Sequence, residues 1–164
     1  MSLAEVEPYL PSDEELRSIL GEAETIAVVG LSSRPDRDSH SVAAFLQSKG
    51  YRIVPVNPNE TEVLGERAYP TLLDVPDDVS IDVVDVFRRA EFTPDIARDA
   101  VRRGARVLWL QDEIVNDEAR RIGEEGGMTV VMGTCIRRES RRLESPSRPA
   151  RQTGPQGPPT ERED

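Results

Sequence analysis

Five short apolar runs punctuate the chain: TIAVV from Thr25, YRIVPV from Tyr51, IDVVDVF from Ile81, RVLWL from Arg106 and MTVVM from Met128. Each is too short for a helix and too continuously apolar for a half-solvated strand, which is the signature of parallel strands covered on both faces. Between them the period lengthens to that of helices. Ser39 to Lys49 carries an apolar stripe of Val42, Phe45 and Leu46, with Ser39 or Ser41 as the expected N-cap and Gly50 as terminator. Thr93 caps a second helix with Pro94 in its first position, ending at Gly104, and Asn116 caps a third, closed by Gly126 and Gly127. A leading helix over residues 12–20 is signalled by Ser12 and Glu15, a capping box, before Leu16, Ile19 and Leu20; Gly21 stops it, and it is expected to cover an edge of the sheet. Residues 59–70 read as a loop with a turn at Gly65, and Pro70 to Val75 as a small helix or turn. Strands alternating with helices give an α/β fold: a Rossmann-like, doubly wound, parallel five-stranded sheet. The order 3-2-1-4-5 is expected, because it places the crevice at the end of the first strand.

At 164 residues the chain is long enough for one domain with a real core, expected over residues 1–143. Residues 144–164, ESPSRPARQTGPQGPPTERED, are rich in Pro, Gly, Ser and charge and read as a disordered tail. The single cysteine, Cys135, excludes an intramolecular disulfide and gives no zinc ligand set. The amino terminus is acidic and lacks a signal peptide's basic start, and no run approaches the ~20 apolar residues that cross a bilayer, so a soluble cytoplasmic protein is expected. The formal charge of −10 repels nucleic acid and anionic membranes alike. A local pocket of arginines still holds an anion, since screening limits distant acids to ~8 Å at physiological salt.

The first β-α-β unit carries the chemistry. Its glycine, Gly30, stands where the first strand ends, so the following helix presents its N-terminus as a phosphate would require. A dinucleotide fingerprint needs three glycines and an acid at the tip of the second strand. This chain has Gly30 alone, then Leu31, Ser32, Ser33, Arg34, Arg37, Asp38 and Ser39, and its second strand ends in Asn57 and Pro58 without an acid. Hydroxyls and planar guanidinium forks on an acid-poor rim suit the 3'-phosphorylated ribose of coenzyme A better than the free ribose of NAD.

Several segments in the same order resemble a known family: VVGLSSRPDRDSHSVAAFLQSKGYRIVPVNP, LGERAYPTLLDVP, IDVVDVFRR, VLWLQ and MGTCIRRESRRL. They are similar to the small stand-alone CoA-binding proteins, whose Rossmann-like domain resembles the N-terminal domain of the succinyl-CoA synthetase alpha subunit. The resemblance implies a non-covalent CoA site at the carboxyl ends of the first strands and no established reaction. Such small domains often pair, which leaves a homodimer open. The closing segment departs from the family, which usually has an acid and a base before the cysteine and a histidine beyond it; here stand Gly133, Thr134 and Ser140.

On this reading Gly30 is the phosphate turn, Ser32, Ser33 and Ser39 donate to pyrophosphate, and Arg34 and Arg37 pair with phosphate oxygens. Asn57 and Pro58 lie under the adenosine. Phe87 offers a ring to adenine or the pantetheine arm, Arg88 a cation to the 3'-phosphate, and Leu110 and Gln111 line the pantetheine path. Trp109 is expected in the core. Each residue also has a structural alternative: a turn glycine, an ordinary N-cap, solvated loop arginines, an Asn-Pro turn. His40 as a general base would need a partner carboxylate, and the sequence offers only Asp38. Cys135 reads as a buried, inert thiol more readily than a reactive one. Binding without catalysis is the leading function. Its rivals are an NAD(P)-binding or acyl-CoA enzyme component needing a partner, and an interaction module with a vestigial pocket.

Overall fold

The computed structural model describes residues 7–144, so the expected disordered tail lies, beyond Glu144, outside the described residues. The elements are α1 (Asp13–Glu22), β1 (Thr25–Val29), α2 (Asp38–Ser48), β2 (Arg52–Val56), β3 (Glu62–Val63), β4 (Glu66–Arg67), β5 (Val83–Val86), α3 (Thr93–Arg102), β6 (Val107–Asp112), α4 (Asp117–Glu125), β7 (Thr129–Gly133) and α5 (Ile136–Leu143). Five strands form one parallel sheet in the order β2-β1-β5-β6-β7. The doubly wound class is as expected.

The strand order holds as a pattern with different occupants. The run IDVVDVF, expected outside the second strand, instead pairs with β1 at the centre of the sheet. The outer place beside β2 is held by a single parallel bridge between Val56 and Tyr69, whose N–H donates to the Pro55 carbonyl at 3.0 Å. Counting that bridge as a rudimentary third strand gives 3-2-1-4-5-6, the expected pattern with one strand more. A strand as apolar as Val83–Val86 belongs in the middle, where both faces are covered. Either arrangement puts the switch point at the carboxyl end of β1.

Strand alternation divides the core. Ile26, Val28, Val83, Trp109 and Val131 face α1, α2 and α5, while Ala27, Val29, Val84, Val86, Leu108 and Leu110 face α3 and α4. Trp109 is fully buried, as expected, and its indole N–H donates to the Thr134 carbonyl at 2.8 Å. α1 covers a face rather than an edge: Leu16 and Leu20 sit in the core, and Arg142 of α5 pairs with Asp13 at 2.9 Å. The edge strand β7 is met instead by the segment before α1, where Tyr9 and Met132 exchange two backbone hydrogen bonds of 2.9 Å.

Caps explain the helix starts. Ser12 Oγ accepts from the Glu15 N–H at 3.1 Å, and Asn116 Oδ1 from the Ala119 N–H at 2.8 Å. α1 runs through Gly21 to Glu22. Thr93 is a first helical residue rather than a cap, its hydroxyl donating to the Ala90 carbonyl. The turn at Gly65 is the tip of a small hairpin, with Leu64 and Gly65 both left-handed (φ 55° and 79°) and β3 paired antiparallel to β4.

Arg103, just past α3, clips the connection between β4 and β5. One guanidinium nitrogen donates to the carbonyls of Leu72 (2.6 Å) and Val75 (2.8 Å), the other to those of Pro76 (3.0 Å) and Val79 (3.1 Å). Hydrogen bonds from a charged donor contribute about 1.5–3 kcal/mol each at most, and these are partly exposed. Arg103→Ala is expected to lower unfolding free energy by roughly 2–3 kcal/mol in urea denaturation, and a loss below ~0.5 kcal/mol, the level of an ordinary surface change, would show the clip to be idle.

Candidate functional site

The site is built where β1 ends. Gly30 takes φ 89°, its N–H donating to the Val56 carbonyl at 2.8 Å, while the Phe87 N–H donates to the Val29 carbonyl at 2.8 Å. The turn is so close to the β5 exit that a Cβ on Gly30 would lie 2.8 Å from the Phe87 carbonyl oxygen and 3.3 Å from Arg88 Cδ. Gly30, Phe87 and Arg88 are therefore one cluster.

The loop folds back onto α2. Ser39, expected as a cap, is the second helical residue; it is buried and its Oγ accepts from the Ser32 N–H at 3.0 Å. Ser41, the alternative cap, instead accepts from Arg137 at 2.7 Å. Arg37 occupies the N-cap position, and no side chain caps the helix. The first N–H groups of α2 thus have no side-chain cap, and the one acid in its first turn is Asp38.

The other candidates fall into three groups. Around the loop, Ser32 Oγ accepts from the Arg34 N–H at 3.1 Å, Ser33 is exposed, and Arg34 pairs with Asp36 at 3.1 Å with both side chains more than half exposed. Such a surface pair is weak enough to be exchanged for a phosphate. Over β2, Asn57 donates to the Leu31 carbonyl at 3.0 Å and accepts from the Asn59 N–H at 2.9 Å, so it fixes the rim, and Pro58 is exposed beside it. Beyond β5 and β6, Arg88 stacks on the Phe92 ring at 4.5 Å, and Gln111 is 4% exposed. Two candidates are not brought in by their side chains. Leu31 is fully buried in the core, and Leu110 points to the α3 and α4 face, away from the cavity, because alternation turns it opposite to Gln111.

A cavity of about 430 Å³ opens between α2, α5 and the ends of β5 and β6. Phe87 and Gln111, the residues expected beside the pantetheine arm, line it, and so do Asp112, Cys135, Arg137 and Arg141, which carry no local motif. All but Asp112 belong to or adjoin α5, a helix whose apolar signal is only Ile136 and Leu143, since its other buried positions are Glu139 and Ser140. Cys135 is 8% exposed at the N-cap of that helix. Beneath the cavity Gln111 donates its side-chain amide to the fully buried Asp85, whose other oxygen has no hydrogen-bond partner among the described residues. Burial pushes the Asp85 carboxyl up to about 8, against a smaller lowering by Gln111.

The rim is less acid-poor than the sequence suggested. Glu60, three residues past Asn57, returns to the loop and accepts from the Ser33 N–H at 2.9 Å. It was invisible as a site residue because the turn after Pro58 carries it back.

Residues 24–141 match the model of the CoA binding domain family, and the chain belongs to that family. It is 46% identical over 127 residues to the Bacillus subtilis protein YneT, covering 77% of this chain and 93% of that one. It is 28% identical over 104 residues to an ADP-forming acetate–CoA ligase of Archaeoglobus fulgidus, covering 62% of this chain but 15% of the ligase. Among solved structures, a hypothetical protein from Pyrococcus horikoshii superposes with a TM-score of 0.78 at 40% identity, over 81% of this chain and 92% of that one. Among the described residues no helix is long and apolar enough to cross a membrane, and no group of three His, Cys, Asp or Glu side chains is placed to hold a metal.

Proposed function

We propose that this protein binds coenzyme A non-covalently at the carboxyl ends of its sheet and acts by binding, in sensing, delivery or regulation of a partner, without catalysing a reaction. The observation that carries the reading is the uncapped N-terminus of α2 at the switch point, with Gly30 holding the turn close and Ser32, Ser33, Arg34 and Arg37 around it. The pyrophosphate sits at that helix end, where backbone N–H groups and the dipole favour negative charge. The adenosine lies over Asn57 and Pro58, Arg88 is within the same cluster for the 3'-phosphate, and the pantetheine arm runs past Phe87 and Gln111 into the cavity. Family membership supports CoA as the nucleotide, as does the domain's presence in a ligase named for joining acetate to CoA.

Titration calorimetry with CoA, acetyl-CoA, NAD and ADP tests the reading, with CoA and its acetyl ester expected to bind tighter than NAD and ADP. Two charge-assisted phosphate contacts are together worth roughly a ten- to hundredfold in affinity after discounting for exposure. Arg34→Glu with Arg37→Glu should therefore weaken CoA at least tenfold while leaving the melting temperature within a few degrees. Unchanged affinity would remove the two arginines from the site.

Glu60 favours a second reading. A carboxylate at the rim suits the free ribose hydroxyls of NAD, as the acid of a dinucleotide fold does. Tighter binding of NAD than of CoA would select it.

A further inference from the structure

Resting on the CoA reading, we propose that the cavity between α2 and α5 receives an acyl group ending in a carboxylate, so that the preferred ligand is a dicarboxylic-acid monothioester of CoA. The cavity is amphipathic. Val42, Phe87 and Ile114 supply apolar wall for methylenes, and α5 supplies Arg137, Arg138 and Arg141. In a chain of formal charge −10, three guanidinium groups meet two carboxylates there, Asp38 and Asp112. Arg138 is already paired with Asp112, a bidentate contact in which one nitrogen–oxygen distance is 3.0 Å.

The other two arginines are differently placed. Arg137 donates to the Ser41 hydroxyl at 2.7 Å, and Arg141 lies 4.9 Å over the Phe45 ring; neither has a carboxylate partner among the described residues. Their spacing of four residues puts them on one face of α5, a turn apart, both lining the cavity. A neutral acyl chain would leave the two cations only Asp38 as a carboxylate on the same cavity wall, whereas a terminal carboxylate accepts the forked N–H groups of one or both. Arg137 and Ser41 also tie α5 to the first turn of α2, closing one wall of the cavity.

The test measures, for the intact chain, the ratio of dissociation constants between paired esters of equal carbon number: propionyl- and malonyl-CoA, butyryl- and succinyl-CoA, valeryl- and glutaryl-CoA. Contributions common to every CoA ester cancel in this ratio. At least one dicarboxylic member should bind tenfold tighter than its neutral partner, and the preference should fall below threefold in Arg137→Gln/Arg141→Gln, with Arg141→Gln alone giving an intermediate value. Ratios within threefold in the wild type, or a preference that survives in the double variant, would overturn the proposal. The same cations could instead hold the 3'-phosphate of CoA; a double variant that loses the preference for CoA over 3'-dephospho-CoA, with no dicarboxylate preference in the wild type, would assign them so and overturn it. If CoA itself does not bind, the parent reading fails first and visibly.

Discussion

Gly30→Ala is expected both to destabilise the fold and to abolish measurable nucleotide binding. At φ 89° an alanine is strained by roughly 1–3 kcal/mol whatever its surroundings. The added Cβ would also sit 2.8 Å from the Phe87 carbonyl oxygen, a backbone atom of a residue whose N–H is tied to the Val29 carbonyl, so it has little room to swing away. Relief has to come from moving the loop, which carries Ser32, Ser33 and the approach to α2. Thermal unfolding should shift down by ten degrees or more, from a loss of roughly 3 kcal/mol in a domain of this size. Calorimetry below the new midpoint should show CoA affinity reduced at least a hundredfold. An alanine variant that binds CoA normally would mean that the turn's closeness serves only packing.

Asp85→Asn should raise stability, and by more at alkaline than at acid pH. Asp85 is fully buried between β1 and β6, with Val28 and Trp109 as its register neighbours and Gln111 as its hydrogen-bond partner. Its pKa lies at about 8 in the fold, above that of the unfolded chain. Between those values the folded state binds more protons than the unfolded one, so stability falls as pH rises, with a limiting slope of about 1.4 kcal/mol per pH unit. Below the unfolded pKa both states are protonated and the penalty vanishes; above about 8 it is complete. Asparagine keeps an acceptor for Gln111 and has no charge to bury, so the gain should be small at pH 4 and about 2 kcal/mol or more at pH 8. A gain independent of pH, or none, would contradict the placement of that carboxyl. A residue this costly to stability is explained by its hold on Gln111, which fixes a polar side chain at the edge of the cavity.

The backbone plan was legible in the sequence because parallel strands write themselves as solid apolar runs. Runs alone do not say which strand is central, so Ile81–Phe87 was expected at the edge, although its lack of any polar face was the available sign of a central place. Local chemistry was read well where a side chain caps its own helix, at Ser12 and Asn116. It failed at Ser39 and Ser41, whose hydroxyls serve partners 7 and 96 residues away. The turn at Gly30 was visible because a βα turn is a local motif. The α5 wall of the cavity was not, since a helix whose inner face includes Glu139 and Ser140 has almost no apolar period to detect. Glu60 was missed for another reason: its position depends on a turn's path rather than on a spacing.

Backbone amide chemical shifts recorded during titration with CoA locate the nucleotide on the sheet. Saturable changes are expected at Gly30, Ser32, Ser33, Ser39 and His40, continuing through Phe87 to Gln111. Changes confined to the opposite end of the sheet, where Gly104, Gly126 and Gly127 line a second cavity of about 490 Å³, or no change at millimolar CoA, would contradict this placement.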